Sequence, residues 1–371
     1  MKQLRVAVVG AGRLGGFHAQ KLAAIEGVDL VAVADPVAAQ RDRVAAQSGT
    51  RAVADYRELL DGVDAAVIAV PTRLHHPVAL DFLRRGKHLL VEKPLASSLS
   101  EADELVEAAR QHQAILQVGH VERFNPALEA AAPHVRNPKY IEAVRTSGFT
   151  FRSTDIGAVL DLMIHDLDLV LWMVRSPVRR VEALGLSVLG GQEDVANARL
   201  AFENGCVATL SASRVSRQTV RRMHVWAPRA FASIDFATRT TRLVRPSQTL
   251  LRRQLDVDSL SPDEVEHLKT HLAEVHLPQE EIETAAVDAL MLEVQDFVQS
   301  IRAPRQPRVT GQQARETMAV AEQILEKIHA HAWDETADGP AGPLAVPRPS
   351  VIPAPHWHHA AQRAPIERKA S

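Results

Sequence analysis

Leu4-Arg5-Val6-Ala7-Val8-Val9-Gly10-Ala11-Gly12-Arg13-Leu14-Gly15 decides the fold. An apolar run of strand length ends in Gly-x-Gly-x-x-Gly and passes into a helical pattern that reaches Ile25. A second apolar run, Leu30 to Ala34, ends in Asp35, at about the spacing of roughly twenty residues that a dinucleotide site uses. Gly10 permits the tight turn, Gly12 lets the backbone approach a pyrophosphate, and Gly15 lets the helix pack closely on the strand. The helix start, with Arg13 and Leu14, offers unpaired N–H groups and the positive end of its dipole to phosphates. Asp35 accepts hydrogen bonds from a ribose diol and repels a 2′-phosphate, which predicts NAD rather than NADP.

Outward from this turn, strand patterns recur at 4–9, 28–34, 65–70, 87–91 and 115–118, with amphipathic helical stretches between them. One such helix spans Ser100 to Gln113, with Ser100 as its expected N-cap. Apolar strands alternating with helices predict a parallel sheet covered on both faces. After Asn125-Pro126 the pattern changes. Tyr140 to Phe151 reads as a strand and Asp161 to Val174 as a helix. Alternating runs follow at Val181–Leu189, Ala196–Phe202, Cys206–Val215 and Arg221–Phe236, with Asn204-Gly205 as a hairpin turn. The reading is an α/β chain: a dinucleotide-binding domain over 1–122, then an α+β domain over 123–333 with an open, mostly antiparallel sheet. The polar segment 247–278 is an insertion, Ala285–Arg302 and Gly311–His331 are closing helices, and the Pro-, Ala- and His-rich residues 334–371 form a disordered tail.

Composition narrows the function classes. The chain of 371 residues accommodates two domains of ordinary size, and 43 basic against 45 acidic residues give a formal charge of −2. This balance gives no reason to expect nucleic acid or a membrane surface as partner. The single cysteine, Cys206, excludes an intramolecular disulfide and fits a reducing compartment, as a buried, inert thiol. No apolar run has membrane-spanning length, and the first strand begins at once, so the expected location is the cytoplasm. His267 and His271 share a helical spacing, and His356-Trp357-His358-His359 lies in the tail, but neither group reads as a metal site, and no metal is expected.

Three clusters are candidates for chemistry. Val70-Pro71-Thr72-Arg73-Leu74-His75 follows the third strand, where an open α/β sheet places its ligand crevice, so Pro71, Thr72 and His75 are expected to line the dinucleotide site. A plain turn with His75 capping or packing is the other reading. Glu92-Lys93-Pro94 follows the fourth apolar run, and the proline holds Lys93 extended. An ammonium there stabilises a developing alkoxide; alternatively, Lys93 forms a surface ion pair with Glu92. In Asp161-Leu162-Met163-Ile164-His165-Asp166-Leu167-Asp168 the helical spacing puts Asp161, His165 and Asp168 on one face. A histidine flanked by carboxylates is a credible general base, or else a satisfied core residue.

Together these residues resemble the glucose–fructose oxidoreductase/inositol dehydrogenase (Gfo/Idh/MocA) family over about 330 residues, a length of two ordinary domains. The resemblance implies a Rossmann domain, an α+β domain with an open sheet, an active site between them, and a homodimer or homotetramer built through the sheets. It also implies that Lys93 and His165 carry the proton chemistry, and that the Lys-Pro bond is commonly cis. Two positions depart from the family pattern: the lead-in Ile156-Gly157-Ala158-Val159-Leu160, and Met163 where a glycine is usual. Gly119-His120-Val121-Glu122-Arg123-Phe124-Asn125-Pro126 looks like the stretch of members that act on nucleotide-linked amino sugars, especially UDP-N-acetylglucosamine 3-dehydrogenases. Those make a 3-ketone that an aminotransferase converts to a 3-amino sugar, as for lipid A.

The expected function is therefore NAD-dependent oxidation of a sugar hydroxyl, with C3 of UDP-N-acetylglucosamine as the leading substrate. His165, oriented by Asp161 or Asp168, takes the hydroxyl proton, Lys93 holds the same oxygen, and Arg123 and Asn125 bind diphosphate or sugar. Whether Lys93 or His165 is the base stays open at this point. So do two other functions: the same chemistry on inositol, a free sugar or a UDP-uronic acid, and a non-catalytic NAD-binding sensor.

Overall fold

The computed structural model describes residues 3–151, 156–189, 191–303 and 305–331. The expected tail lies outside them. Strands β1 (Leu4–Val9), β2 (Val28–Ala34), β3 (Arg51–Val53), β4 (Ala65–Ile68), β5 (His88–Glu92) and β6 (Leu116–Gly119) form a parallel sheet in the order β3-β2-β1-β4-β5-β6. Helices α1 (Arg13–Ala23), α2 (Ala38–Ser48), α3 (His75–Leu83) and α4 (Leu99–Gln111) make its crossovers. This is the doubly wound dinucleotide-binding order. The pleat of β1 explains its unbroken apolar run: Val6 and Val8 join the core on one side, Ala7 and Val9 the core on the other. Strand β3 escaped the sequence reading because it has three residues at the sheet edge. The cap of α4 is Ser98 rather than Ser100, with its hydroxyl accepting from the Glu101 N–H at 3.2 Å.

The second half follows with α5 (Pro126–Ala131), β7 (Tyr140–Thr146), α6 (Ile164–Val174), β8 (Val178–Leu186), β9 (Val195–Phe202), β10 (Val207–Ser213), β11 (Val220–Ala227), β12 (Ala230–Asp235) and β13 (Thr240–Val244). Then come α7 (Gln248–Leu251), α8 (Pro262–His271), β14 (Gln279–Ile282), α9 (Ala289–Arg302) and α10 (Gly311–Ala330). The sheet order is β14-β13-β12-β11-β7-β10-β9-β8, antiparallel except for the parallel β7–β10 pair. The run Arg221–Phe236 is two strands rather than one, turning where Ala227 pairs with Ala230. Pro228 sits in that turn, where a strand would have needed its missing N–H. The polar segment carries α7 and α8 as an excursion between β13 and β14, and the edge strand β14 is charged, which discourages edge pairing.

Helices α9 and α10 refine the division of the chain. Val294, Phe297 and Val298 of α9 pack with Val6 and Val8 of the first sheet, although α9 follows the second sheet in sequence. Ala314 and Met318 of α10 join the first sheet's other core, while Val320, Ala321, Ile324 and Ile328 join the core of the second sheet. One continuous helix thus contributes to both domains. It fixes the crevice between them by packing against α4 on one side and against α6 and β8 on the other.

Candidate active site

The Gly-rich turn has the three properties its spacing implied. Gly10 has φ +100°, and a Cβ there would stand 2.4 Å from the Ala69 carbonyl oxygen at the end of β4. A Cβ on Gly15 would stand 1.8 Å from the Gly10 oxygen. Around Gly12, by contrast, no heavy atom from beyond its immediate chain neighbours lies within 4 Å of the Cβ position. Gly12 is also the N-cap of α1 and brings no side-chain cap, so the first-turn N–H groups face open space that accepts a pyrophosphate. Arg13 and Leu14 are exposed at this helix start. Asp35 is pinned at the end of β2, each oxygen accepting one backbone N–H at 2.8 Å, from Ala11 and from Val37. Each oxygen keeps a lone pair for a ribose hydroxyl. The residues present fit a dinucleotide.

His75 takes the packing role. It is buried, with Nδ1 2.8 Å from the Pro94 carbonyl and Nε2 2.9 Å from the Val70 carbonyl. It ties the loop after β4, with Pro71 and the buried Thr72, to the loop after β5. Glu92 also turns inward, its Oε1 2.7 Å from Nε2 of the fully buried His18 on α1. Burial works to raise the Glu92 carboxyl. The hydrogen bond and charge of His18, with Lys93 and His75 behind it, outweigh burial and hold the carboxyl below its ordinary value. The alternative Lys93–Glu92 side-chain pair does not form.

Lys93 instead crosses the crevice. The Lys93-Pro94 bond is cis, as the resemblance implied. Its Nζ donates to the Asp161 carbonyl at 2.7 Å and to the Asp161 carboxylate at 3.2 Å. Asp161 lies in a π-helical turn, Val159–Met163, that leads directly into α6. That turn explains the two departures from the family pattern. Gly157 leaves room for the buried Glu193, whose carboxyl would meet a Cβ at 2.1 Å. Glu193 Oε1 accepts from the Val159 N–H at 3.0 Å and so anchors the start of the turn, while Met163 is fully buried in the second core.

His165 opens α6 beside this bridge. Its buried Nδ1 has no hydrogen-bond partner among the described residues. Its ring meets the His120 ring edge-on, with centroids 6.4 Å apart. Burial, then the charges of Lys93, Arg145, His120 and Arg221, push its pKa well below the ordinary histidine value. The ring is therefore neutral, the form that accepts a proton. His120 escaped the sequence reading, although its place just after β6, at the C-terminal end of a parallel strand, was the available signal. It is buried with both ring nitrogens unpartnered among the described residues, and burial lowers its pKa as well.

Three sequence expectations are corrected. Asp168 does not orient His165, because its carboxylate is buried against Arg123, which donates to it at 2.6 and 3.0 Å. Arg123 in turn is no free phosphate ligand: it is buried, forked onto Asp168 and stacked 5.1 Å from the Trp172 ring centroid. Asn125 is likewise fully engaged. Its Oδ1 accepts from the Ala127 N–H at 3.1 Å to cap α5, and its amide donates to Glu122 and to the Phe236 carbonyl at 2.9 and 3.1 Å. Beside them Arg145 bridges Glu122 and Asp166, with 2.8 Å contacts to each. Sequence spacing missed this buried lattice because its members meet from α6, β7 and the turn after β6. His267 and His271 meet edge-on with ring centroids 4.5 Å apart on exposed α8, and among the described residues no group of three His, Cys, Asp or Glu is placed to hold a metal. None of the described helices is long and apolar enough to cross a membrane.

Comparison with known proteins places this geometry. Residues 4–120 match the NAD-binding Rossmann domain of the Gfo/Idh/MocA oxidoreductase family, and residues 128–231 match its C-terminal domain. A UDP-N-acetylglucosamine 3-dehydrogenase of Acidithiobacillus ferrooxidans is 35% identical over 335 residues, which span 89% of this chain and 99% of that protein. Its solved structure superposes with a TM-score of 0.78 at 34% identity, covering the same shares. The scyllo-inositol 2-dehydrogenase (NAD(+)) of Bacillus subtilis is 31% identical over 233 residues, 58% of this chain and 68% of that protein. With its Gly-rich turn, Asp35, and the Lys93–Asp161–His165 group at the crevice, the chain belongs to the Gfo/Idh/MocA family and is an NAD-dependent oxidoreductase.

Proposed function

We propose that the protein is a sugar dehydrogenase that oxidises a secondary hydroxyl to a ketone, and that its substrate is UDP-N-acetylglucosamine, oxidised at C3. The observation that carries the chemistry is the Lys93 ammonium bridging the crevice to Asp161 beside a neutral His165. Oxidation of an alcohol needs a proton acceptor and a fixed positive charge where the alkoxide develops. His165 takes the hydroxyl proton as the C–H bond breaks and the C=O bond forms. Lys93, held by Asp161, donates to the same oxygen and stabilises its growing charge. In this reading Asp161 orients Lys93 rather than His165. Bound NAD supplies the hydride acceptor. The Gly10–Gly15 turn, Asp35 and the Pro71–Thr72 loop would hold it, and the His75 and His18–Glu92 contacts keep the Lys93 loop in place.

The choice of sugar rests on the likeness to the Acidithiobacillus enzyme over nearly its whole length, and on the stretch Gly119–Pro126. The open face of the second sheet carries Tyr140, Trp226 and Phe231, with ring centroids 5.0 and 4.8 Å apart. We assign this face to a homodimer or homotetramer contact. The test is NADH formation across UDP-N-acetylglucosamine, a UDP-uronic acid, glucose and inositol, with the product identified by mass. Turnover of UDP-N-acetylglucosamine to a 3-ketone is expected. Turnover of a free polyol alone moves the substrate to that class, and NAD binding without any turnover leaves a sensor.

A further inference from the structure

Two arginines around the catalytic helix are committed inside the fold, Arg123 to Asp168 and Arg145 to Glu122 and Asp166. A third, Arg221, is not. Strand β11 pairs antiparallel with β7 so that Arg221 stands opposite Arg145. Alternation along β11 puts Arg221 on the face of Met223 and Val225, which pack in one core with Leu167 and Val170 of α6. Arg145 reaches from this register to Asp166, the residue after His165. Arg221 lies one strand further out, past the edge of the packed core. It is exposed, and among the described residues no carboxylate lies within ion-pair distance of it. Its charge nonetheless reaches both His165 and Asp166. The second domain therefore presents, beside the strand position that reaches the His165 segment, an exposed guanidinium with no ion-pair partner among the described residues.

We propose that Arg221 anchors the diphosphate of a nucleotide-sugar substrate, holding the sugar ring inward toward Lys93 and His165. This rests on the substrate reading above and replaces Arg123 in the role its sequence position suggested. A guanidinium offers paired donors that match phosphate oxygens, and it is more weakly hydrated than an ammonium. Its fixed charge also balances an anionic ligand in a crevice where His165 stays neutral and Lys93 is held by Asp161.

The test titrates UDP, calorimetrically, into the NAD-loaded enzyme and into Arg221→Ala, Arg221→Lys and Arg84→Ala variants. Arg84 is an exposed arginine at the end of α3 on the first domain, so its loss controls for net charge. Arg221→Ala is expected to weaken UDP binding by about tenfold or more, Arg221→Lys to recover part of it, and Arg84→Ala to change nothing. The KM for the UDP-sugar rises in parallel while the KM for NAD holds. Wild-type UDP affinity in Arg221→Ala, or equal weakening in Arg84→Ala, overturns the anchor and leaves the substrate reading standing. A wild-type enzyme that neither binds UDP nor turns over any UDP-sugar overturns the substrate reading, and this inference with it, before any variant is made.

Discussion

Helix α6 and the turn before it carry two sets of charged residues a few positions apart, and the two behave in opposite ways. Asp166 and Asp168 are buried, and each receives a two-pronged arginine, so their hydrogen-bonding oxygens are already engaged. Asp161 and His165 face the crevice. There, among the described residues, the cation hydrogen-bonded to Asp161 is the single-headed Lys93, and a ring nitrogen of His165 has no partner. Saturation of hydrogen bonds separates residues that hold the domains in place from residues left with valence for a substrate. Residue type and spacing do not separate them.

The comparison breaks first at Lys93. Lys93→Met is expected to cut kcat by about a thousandfold, the scale of losing a fixed charge at a developing oxyanion. Its melting midpoint is expected to fall less than that of Arg123→Ala, because Asp161 keeps enough exposure for water to solvate its carboxylate once Lys93 is gone. Full turnover in a steady-state assay of NADH formation would place the chemistry elsewhere.

On the structural side, Arg123→Ala leaves Asp168 buried without a partner, which costs about 3–5 kcal/mol in urea unfolding. Replacing both, Arg123→Met with Asp168→Leu, is expected to recover most of that stability. The folded double variant should keep its KM for substrate. A large rise in KM would return Arg123 to the binding site.

A subtler contrast lies in pH. Because His165 is neutral well below the usual histidine range, the acid limb of kcat is expected below about pH 6.5, the ordinary histidine pKa. Stability responds to the same group. Below the unfolded-state pKa the unfolded chain binds protons that the folded His120 and His165 refuse, so stability falls as the solution becomes more acidic. A His165→Gln variant should show a shallower acid loss in thermal melts. An unchanged slope would mean the ring is solvated and titrates normally.

The smallest effect is expected at Glu293, fully buried on α9 near Glu92, with neither oxygen partnered among the described residues. Burial, then the charges of Glu92 and Asp296, hold its carboxyl well above the ordinary value. The folded state keeps a proton that the unfolded chain releases above about pH 4.5, so this group costs stability as pH rises. Glu293→Gln should therefore raise the melting midpoint at pH 8 and lose that advantage toward pH 4. A variant less stable at both would point to a carboxylate held by ordered water.

The sequence carried the first domain almost whole. Gly10, Gly12, Gly15, Asp35 and the doubly apolar strands are local requirements: a turn, a close approach, a charge at a strand end, a sheet covered twice. Each is written into a few consecutive residues, so the dinucleotide site and its crevice were legible by spacing, while Lys93, Asp161 and His165 were candidates by spacing and took their roles from the family resemblance. What remained hidden was every relation between distant segments. Arg123 and Asn125 read as ligands because a side chain's availability depends on what else reaches it, and Asp168 and Phe236 arrive from elsewhere in the chain. Helix α9 returning to the first sheet, Glu193 filling the space under Gly157, and Arg221 opposite Arg145 without an ion-pair partner among the described residues are likewise facts of register and packing. The sequence by itself determined the cofactor fold and the chemical groups. Only the tertiary structure decided which of those groups were already satisfied, because hydrogen-bond valence is used up in three dimensions.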